Sequence, residues 1–391
     1  MLRSLFSGIS GLKAHQTMLD VTGNNIANVN TTGFKASQTQ FQDTLSQVMQ
    51  NAGAPQDGVG GSNPAQVGLG VQVAGITTNF QQGAAQLTNR STDMMISGDG
   101  FFVVRSGNES MYTRSGSFEF DANGQLVTSE GGLVQGWAAD ANGVIDENAP
   151  LDDLRLPIAT LMGASATAEA TFEGNLPSDA AVGTVLNRQV DVYDGQGAVQ
   201  QLQLAFTRTA TGWDVTGARG ADSGTATLTF DASGQPTSAG TLAVGGIAVD
   251  LSTITGFAGL NTVEAASQDG RSAGTLQSFQ ITADGTLVGA FSNGMKMNVG
   301  RVSLATFANP GGLEKAGGSL YRTSANSGDP AVGSAGTGGR GTLTGGALEM
   351  SNVDLSAEFT NLIIAQRGFQ ANSRVITTSD ELLQELVNLK R

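Results

Sequence analysis

At 391 residues with 39% hydrophobic content, the chain is long enough for two or three domains with ordinary cores. A net charge of -14, with no cluster of Lys and Arg, excludes a nucleic-acid partner, because phosphates would find no cationic site. The absence of cysteine excludes disulfides, thiolate catalysis and Cys-ligated metals.

In chain order, the first element is a helix from Leu2 to about Asn28. Leu2, Leu5, Ile9, Leu12, Leu19 and Ile26 keep a three-four spacing, with Gln16 and Gly23 at the remaining positions of the stripe. The polar side is nearly uncharged, with Ser4, Ser7, Ser10, Thr17 and Thr22, which suits contact with other protein more than with solvent. The helix ends where Asn24, Asn25, Asn28, Asn30, Thr31 and Thr32 accumulate, and Gly33 supplies a left-handed cap. Its start has no unbroken apolar h-region and no small-residue cleavage site, so no secretory signal is expected. No window approaches eighteen apolar residues, so no membrane insertion is expected either.

A stretch rich in Gly, Asn and Pro from Asn51 to Pro64 reads as a linker. Strands and tight turns follow. The runs Phe101 to Val104 and Met111 to Arg114 form one strand pair, and Phe118 to Val127 forms a hairpin turning at Asn123-Gly124. A hairpin of the same build recurs at Phe279 to Val288. Matching hairpins on both sides of a long segment indicate one β domain interrupted by another. The interrupting segment has alternating strands of its own, at 189–193, 202–207 and 225–230.

Gly333 to Gly346 reads as a second linker, and the last helix follows. Ser351 to Asp354 fits a capping box that puts Asp354 and Glu358 in the first turn, with Lys390 and Arg391 at the far end. Leu355, Phe359, Leu362, Phe369, Ile376, Leu383 and Leu386 form its apolar stripe, with Gln366 and Asn372 among the polar residues between them. Neither terminal helix is stable alone, so both are expected to be largely disordered in a free monomer and to fold on assembly. The fold class is therefore α+β, with N- and C-terminal helices pairing as a coiled-coil-like element around two mainly antiparallel β domains, the outer inserted into the inner. The expected divisions are residues 1–34 and 352–391 for the helical assembly domain, and 35–70 and 333–351 for linkers. The inner β domain takes 71–158 and 269–332, and the outer one 159–268.

Little in the sequence is suited to catalysis. The single histidine, His15, lies inside the first helix, and no Ser, His and Asp set assembles around it. Asp140 to Glu147 resembles part of a calcium loop but lacks the spacing, and a hairpin turn explains it better. Gly336 to Gly341 has no preceding strand and no Lys-Ser or Lys-Thr for a phosphate loop. No catalytic residue, cofactor or metal site is expected.

The N-terminal segment from Ser10 to Ala14 and from Leu19 to Lys35, with its Gly23-Asn24-Asn25-Ile26-Ala27-Asn28 core, resembles the signature of bacterial flagellar rod and hook proteins. Gly346 to Leu355, continuing into Ala365-Gln366-Arg367 and Gln370 to Arg374, is similar to the other end of the same family. The resemblance covers roughly eighty residues. It implies a subunit exported through the flagellar type III apparatus without a cleaved signal and polymerised outside the cell. The long inserted β region fits the hook members of the family, which form a curved flexible tube carrying torque from rod to filament, better than the stiff distal rod members. The partners implied are other copies of the chain, the flagellar rod, the hook cap, the hook-filament junction proteins and the export apparatus. On this reading the assembly interface comprises Leu5, Ile9, Leu12, Leu19, Asn24, Asn25, Ile26 and Asn28 with Leu355, Phe359, Leu362, Gln366, Phe369, Asn372, Ile376, Leu383 and Leu386.

Overall fold

A computed structural model describes residues 2–55, 57, 60–140, 142–156, 162–238 and 240–388. Lys390, Arg391, Ala141 and the expected domain boundary at Ala159 lie outside the described residues. Helix α1 spans Leu2–Ala27 and α2 spans Leu355–Asn388. Between them the described residues are almost wholly strands and turns.

The segment expected as the first linker is built differently. Strands β1 (Ser37–Asp43) and β4 (Val71–Thr78) pair antiparallel, and β2 (Ser46–Gln50) pairs with β3 (Ala65–Gly68) beyond them, giving a long two-stranded arm. Its base lies against α1, where the Ser10 hydroxyl accepts from the Val71 amide at 3.2 Å and Phe41 stands 5.7 Å from the His15 ring. The alternation of Gln with apolar residues marks these strands in the sequence, but Gly and Pro at the arm's tip masked it. The second expected linker also carries strands. Thr342–Gly345 pairs with β6 (Met94–Ser97), and Ala347–Glu349 pairs with β5 (Ala85–Leu87).

The inner β unit is a branched, mostly antiparallel sheet in which β7 (Phe101–Ser106) and β8 (Glu109–Thr113) lie centrally. Both expected hairpins are present, Phe118–Phe120 with Leu126–Thr128 and Leu276–Ile281 with Thr286–Phe291. One core gathers Met94, Ile96, Phe102, Phe118, Val302 and Leu343, with Phe102 and Phe118 edge to face at 5.1 Å. Residues that precede and follow the outer unit in sequence therefore complete a single core.

The outer unit begins and ends where Met162 bridges Gly274 and Ser165 bridges Arg271. Its four-stranded antiparallel sheet, Val185–Tyr193, Val199–Arg208, Trp213–Arg219 and Asp222–Leu228, covers a second sheet centred on Glu169–Asn175. That second sheet includes parallel pairs of Glu169–Asn175 with Ile247–Asp250 and Ile254–Thr255, which alternation alone does not signal. Phe172, Leu202, Phe206, Trp213 and Val249 fill the space between them.

The capping assignment also shifts. Asp354 is itself the N-cap of α2, its carboxylate accepting from the amides of Ser356 at 2.8 Å and Ala357 at 3.2 Å. Ser351 instead accepts from Val353 in the preceding turn.

Candidate assembly site and its buried latch

The two helices pack antiparallel. Gly8 faces Ile376 and Val375, Gly11 faces the Asn372 amide, Gly368 faces the His15 ring, and Asn25 donates to Glu358 at 2.9 Å. A Cβ on Gly11 would stand 2.6 Å from Asn372 Oδ1, and one on Gly368 would stand 2.5 Å from the His15 ring. The contact face of α1 is therefore small or polar, with Gly8, Gly11, Ala14, Thr22 and Asn25 buried. Lacking bulk, this face lets the two backbones approach closely.

The stripe read from the sequence lies beside that face, not on it. Leu5, Leu12, Leu19 and Ile26 are half-buried and Ile9 is exposed. Asn24 is exposed and Asn28 half-buried, with the Asn28 amide donating to the Asn24 carbonyl and side-chain oxygens. On α2, Leu362, Phe369, Asn372, Ile376 and Leu383 are half-buried, Asn372 and Ile376 against α1, whereas Leu355, Phe359 and Gln366 are exposed. The side chain of Leu386 lies outside the described residues. Phe6, Ile363, Ile364, Val375 and Leu382 add exposed apolar surface outside the two stripes. Pairing the helices thus leaves an uncovered apolar face on each.

Asn25 ties three elements together, donating to the Ser37 carbonyl at 2.8 Å and to Glu358, and accepting from the Ser37 amide at 3.0 Å. A second junction lies below it. Lys35 Nζ meets Glu349 Oε1 at 2.6 Å and donates to the Gln81 carbonyl at 2.7 Å, while Gly83 donates its amide to the same carboxylate. Arg114 approaches the other Glu349 oxygen at 3.5 Å and lies over the Phe101 ring. Lys35 and Glu349 are wholly buried and Arg114 almost so.

Burial holds the Lys35 ammonium below its ordinary range, opposed by Glu349, and lowers Arg114 in the same way. The same burial pushes the Tyr321 phenol up to about 12. Backbone bonds complete the latch. Gly33, at φ +68°, donates to the Glu349 carbonyl, and the Asn352 side chain accepts from Ala36 and donates to Asn79 and Gln81. In the sequence Lys35 and Glu349 fall in separate terminal motifs, and nothing in either motif indicates that the two residues meet.

Asp140 uses one carboxylate oxygen to accept from the amides of Asn142 and Val144, as a hairpin turn requires. Asp121, Asp194 and Asp231 make the same pair of bonds. Among the described residues no group of three or more His, Asp and Glu is placed to hold a metal ion, and no helix is long and apolar enough to cross a membrane.

Three family models match the chain. They are described as flagella basal body rod protein over residues 5–35, flagellar hook protein FlgE/F/G D1 domain over 95–163, and flagellar basal body rod FlgEFG protein C-terminal over 344–389. The chain is 40% identical to the flagellar hook protein FlgE of Borreliella burgdorferi, over all of both chains. It is 37% identical to that of Escherichia coli, over 98% of each. It is also 35% identical to the flagellar basal-body rod protein FlgG of Bacillus subtilis, over all of both. The crystal structure of Helicobacter pylori flagellar hook protein FlgE2 superposes with a TM-score of 0.55 at 16% identity, covering 68% of this chain and all of that one.

Proposed function

The chain belongs to the flagellar hook protein family and is a structural subunit of the hook, and from that premise we propose that it works by polymerising through its terminal helices. The observation that carries this reading is the apolar face left open after α1 and α2 have paired, with Phe6, Ile9, Phe359, Ile363 and Ile364 exposed. Contacts between unlike faces of successive copies do not close on themselves, so they propagate as an open helical tube. The helices form the inner wall, and the outer β unit rides outside, joined at the bridges between Met162 and Gly274 and between Ser165 and Arg271.

Such a tube curves and bends while transmitting torque from rod to filament. Its role is structural, not catalytic. Its partners are other copies, the rod, the hook cap, the hook-filament junction proteins and the export apparatus, which delivers it outside the cell. The chain's low proportion of charged residues, 14%, favours bending, since few ion pairs break as neighbours slide.

Salt-induced assembly followed by sedimentation and electron microscopy tests the reading. Curved tubes are expected, and replacing Ile9 and Phe359 by Ser is expected to abolish them while leaving the β units folded. Straight, stiff polymers would instead favour the rod role carried by the Bacillus subtilis relative. Normal tubes from the double variant would remove the helices from the interface.

A further inference from the structure

A cavity of about 380 Å³ opens on the inner unit beside the latch, within the size range of small-molecule sites. Three aromatic rings and a proline line it. Phe101 stands edge to face with Phe80 at 5.5 Å and with Phe307 at 5.7 Å, and Pro310 begins a short 3-10 turn alongside. A further wall is the turn at Gly338 and Gly339, part of the glycine-rich run that lacks the marks of a phosphate loop. Arg340 fixes that turn by donating to the Ser334 carbonyl at 3.0 Å and to the Thr337 hydroxyl at 2.9 Å. The walls are therefore in place before any ligand arrives, which lowers the entropy lost on binding.

The cationic group of this cavity is Arg114, of which only 2% is exposed. Its side chain makes one hydrogen bond among the described residues, the long one to Glu349 at 3.5 Å, and its buried Nε has no partner. A guanidinium carries five donors, so most of the fork is unused. The other Glu349 oxygen is already taken by Lys35 Nζ at 2.6 Å and the Gly83 amide at 2.8 Å. The buried latch thus sets two cations against one carboxylate, a surplus of one positive charge. Asp99 also lines the cavity, but it is exposed and acts on Arg114 through charge alone, weakened by solvent.

We infer that this cavity binds a small monocarboxylate with an apolar body, its carboxylate on Arg114 and its body among Phe80, Phe101 and Phe307. A planar carboxylate matches the guanidinium fork, and its single negative charge balances the surplus in the latch. Burying a cation without a counter-ion is costly, so the ligand removes a cost that the folded chain otherwise carries. A phosphate dianion would overcompensate the charge and offer nothing to the rings. All the groups belong to one copy, so the inference stands apart from the reading of assembly.

Benzoate is the probe, titrated into the purified full chain and followed by calorimetry and by melting temperature, beside benzamide and inorganic phosphate. Saturable binding of benzoate at one site per chain, with a raised melting temperature, is expected. Benzamide, which keeps the ring and loses the charge, and phosphate, which keeps charge and loses the ring, are each expected to bind at least tenfold more weakly. Asp99→Asn removes a like charge at an exposed position and is expected to tighten benzoate several-fold. Phe307→Ala is expected to weaken it at least tenfold, with circular dichroism confirming the fold. Absence of saturable benzoate binding, equal binding of benzamide or phosphate, or an Asp99→Asn chain that binds no more tightly overturns the inference. A folded Phe307→Ala chain of unchanged affinity overturns it as well.

Discussion

Lys35 and Glu349, 314 positions apart in the chain, meet at 2.6 Å with neither side chain reached by solvent. The pair joins the segment that leaves α1 to the segment that enters α2. It also pins both to the inner β unit through Gly83 and Arg114. Two buried cations share this one carboxylate, and that asymmetry makes the variants distinguishable.

Glu349→Gln removes the carboxylate that both buried cations approach, leaving Arg114 only the more distant Asp99, and is expected to destabilise the inner unit by about 3–5 kcal/mol. Lys35→Met leaves one cation facing one carboxylate and is expected to cost clearly less. Urea unfolding followed by tryptophan fluorescence measures both. Equal losses would mean that Arg114 contributes nothing to the balance.

Alkaline stability turns on Tyr321. In the unfolded chain its phenol ionises near 10.0, whereas in the folded protein it keeps its proton to about 12. The folded state thus binds more protons in that window, and stability falls as pH rises through it, by on the order of 2 kcal/mol. Lys35 acts oppositely. Its lowered folded value means the unfolded chain holds the proton longer, so its titration raises stability as pH climbs toward 10.5. Burial raises the Tyr112 phenol as well, so Tyr321→Phe is expected to reduce the loss between pH 10 and 12 and leave a smaller remainder, measured as melting temperature against pH. An unchanged profile would assign the loss to other groups.

The parts of the fold that are local in sequence were legible in it. An Asn-Gly or Asp-Gly turn between alternating residues specifies a hairpin by itself, and both hairpins are where the turns at Asn123-Gly124 and Asp284-Gly285 put them. Helix positions were legible for the same reason, but not which face of α1 meets α2. Counting apolar residues favours Leu5, Leu12 and Leu19, while the contact uses Gly8, Gly11 and Ala14, whose contribution is the closeness they permit. The latch was hidden because a lone Lys or Glu ordinarily lies at the surface, and only the folded topology shows that these two are buried together.

Glycine substitutions separate the face used within the chain from the face left for neighbours. A methyl group added at Gly23 would meet nothing within 4 Å, so Gly23→Ala is expected to favour α1 by up to about 1 kcal/mol. Gly33 is at φ +68°, and a Cβ there would lie 2.5 Å from the Ser115 amide nitrogen, so Gly33→Ala is expected to destabilise the junction. Because Gly23 shares the exposed stripe with Ile9, Gly23→Ala is further expected to impair polymerisation without loss of helix, read by sedimentation and circular dichroism together. Unimpaired assembly would place that stretch of α1 outside the subunit contacts.

Amide exchange tests the coupling of folding to assembly. The helix pair buries a face of glycine, alanine, threonine and asparagine, which removes little apolar surface from water. Both helices also leave bulky residues exposed, so most of the stabilisation available to them comes from neighbours. Amides of α1 and α2 are accordingly expected to exchange rapidly in the monomer, while those around Lys35, Arg114 and Glu349 are already protected, since the latch belongs to the inner unit's core. After assembly the helical amides are expected to slow by orders of magnitude. Full helical protection in the monomer would show that the small-residue seam suffices alone, and assembly would then join subunits whose terminal helices had already folded.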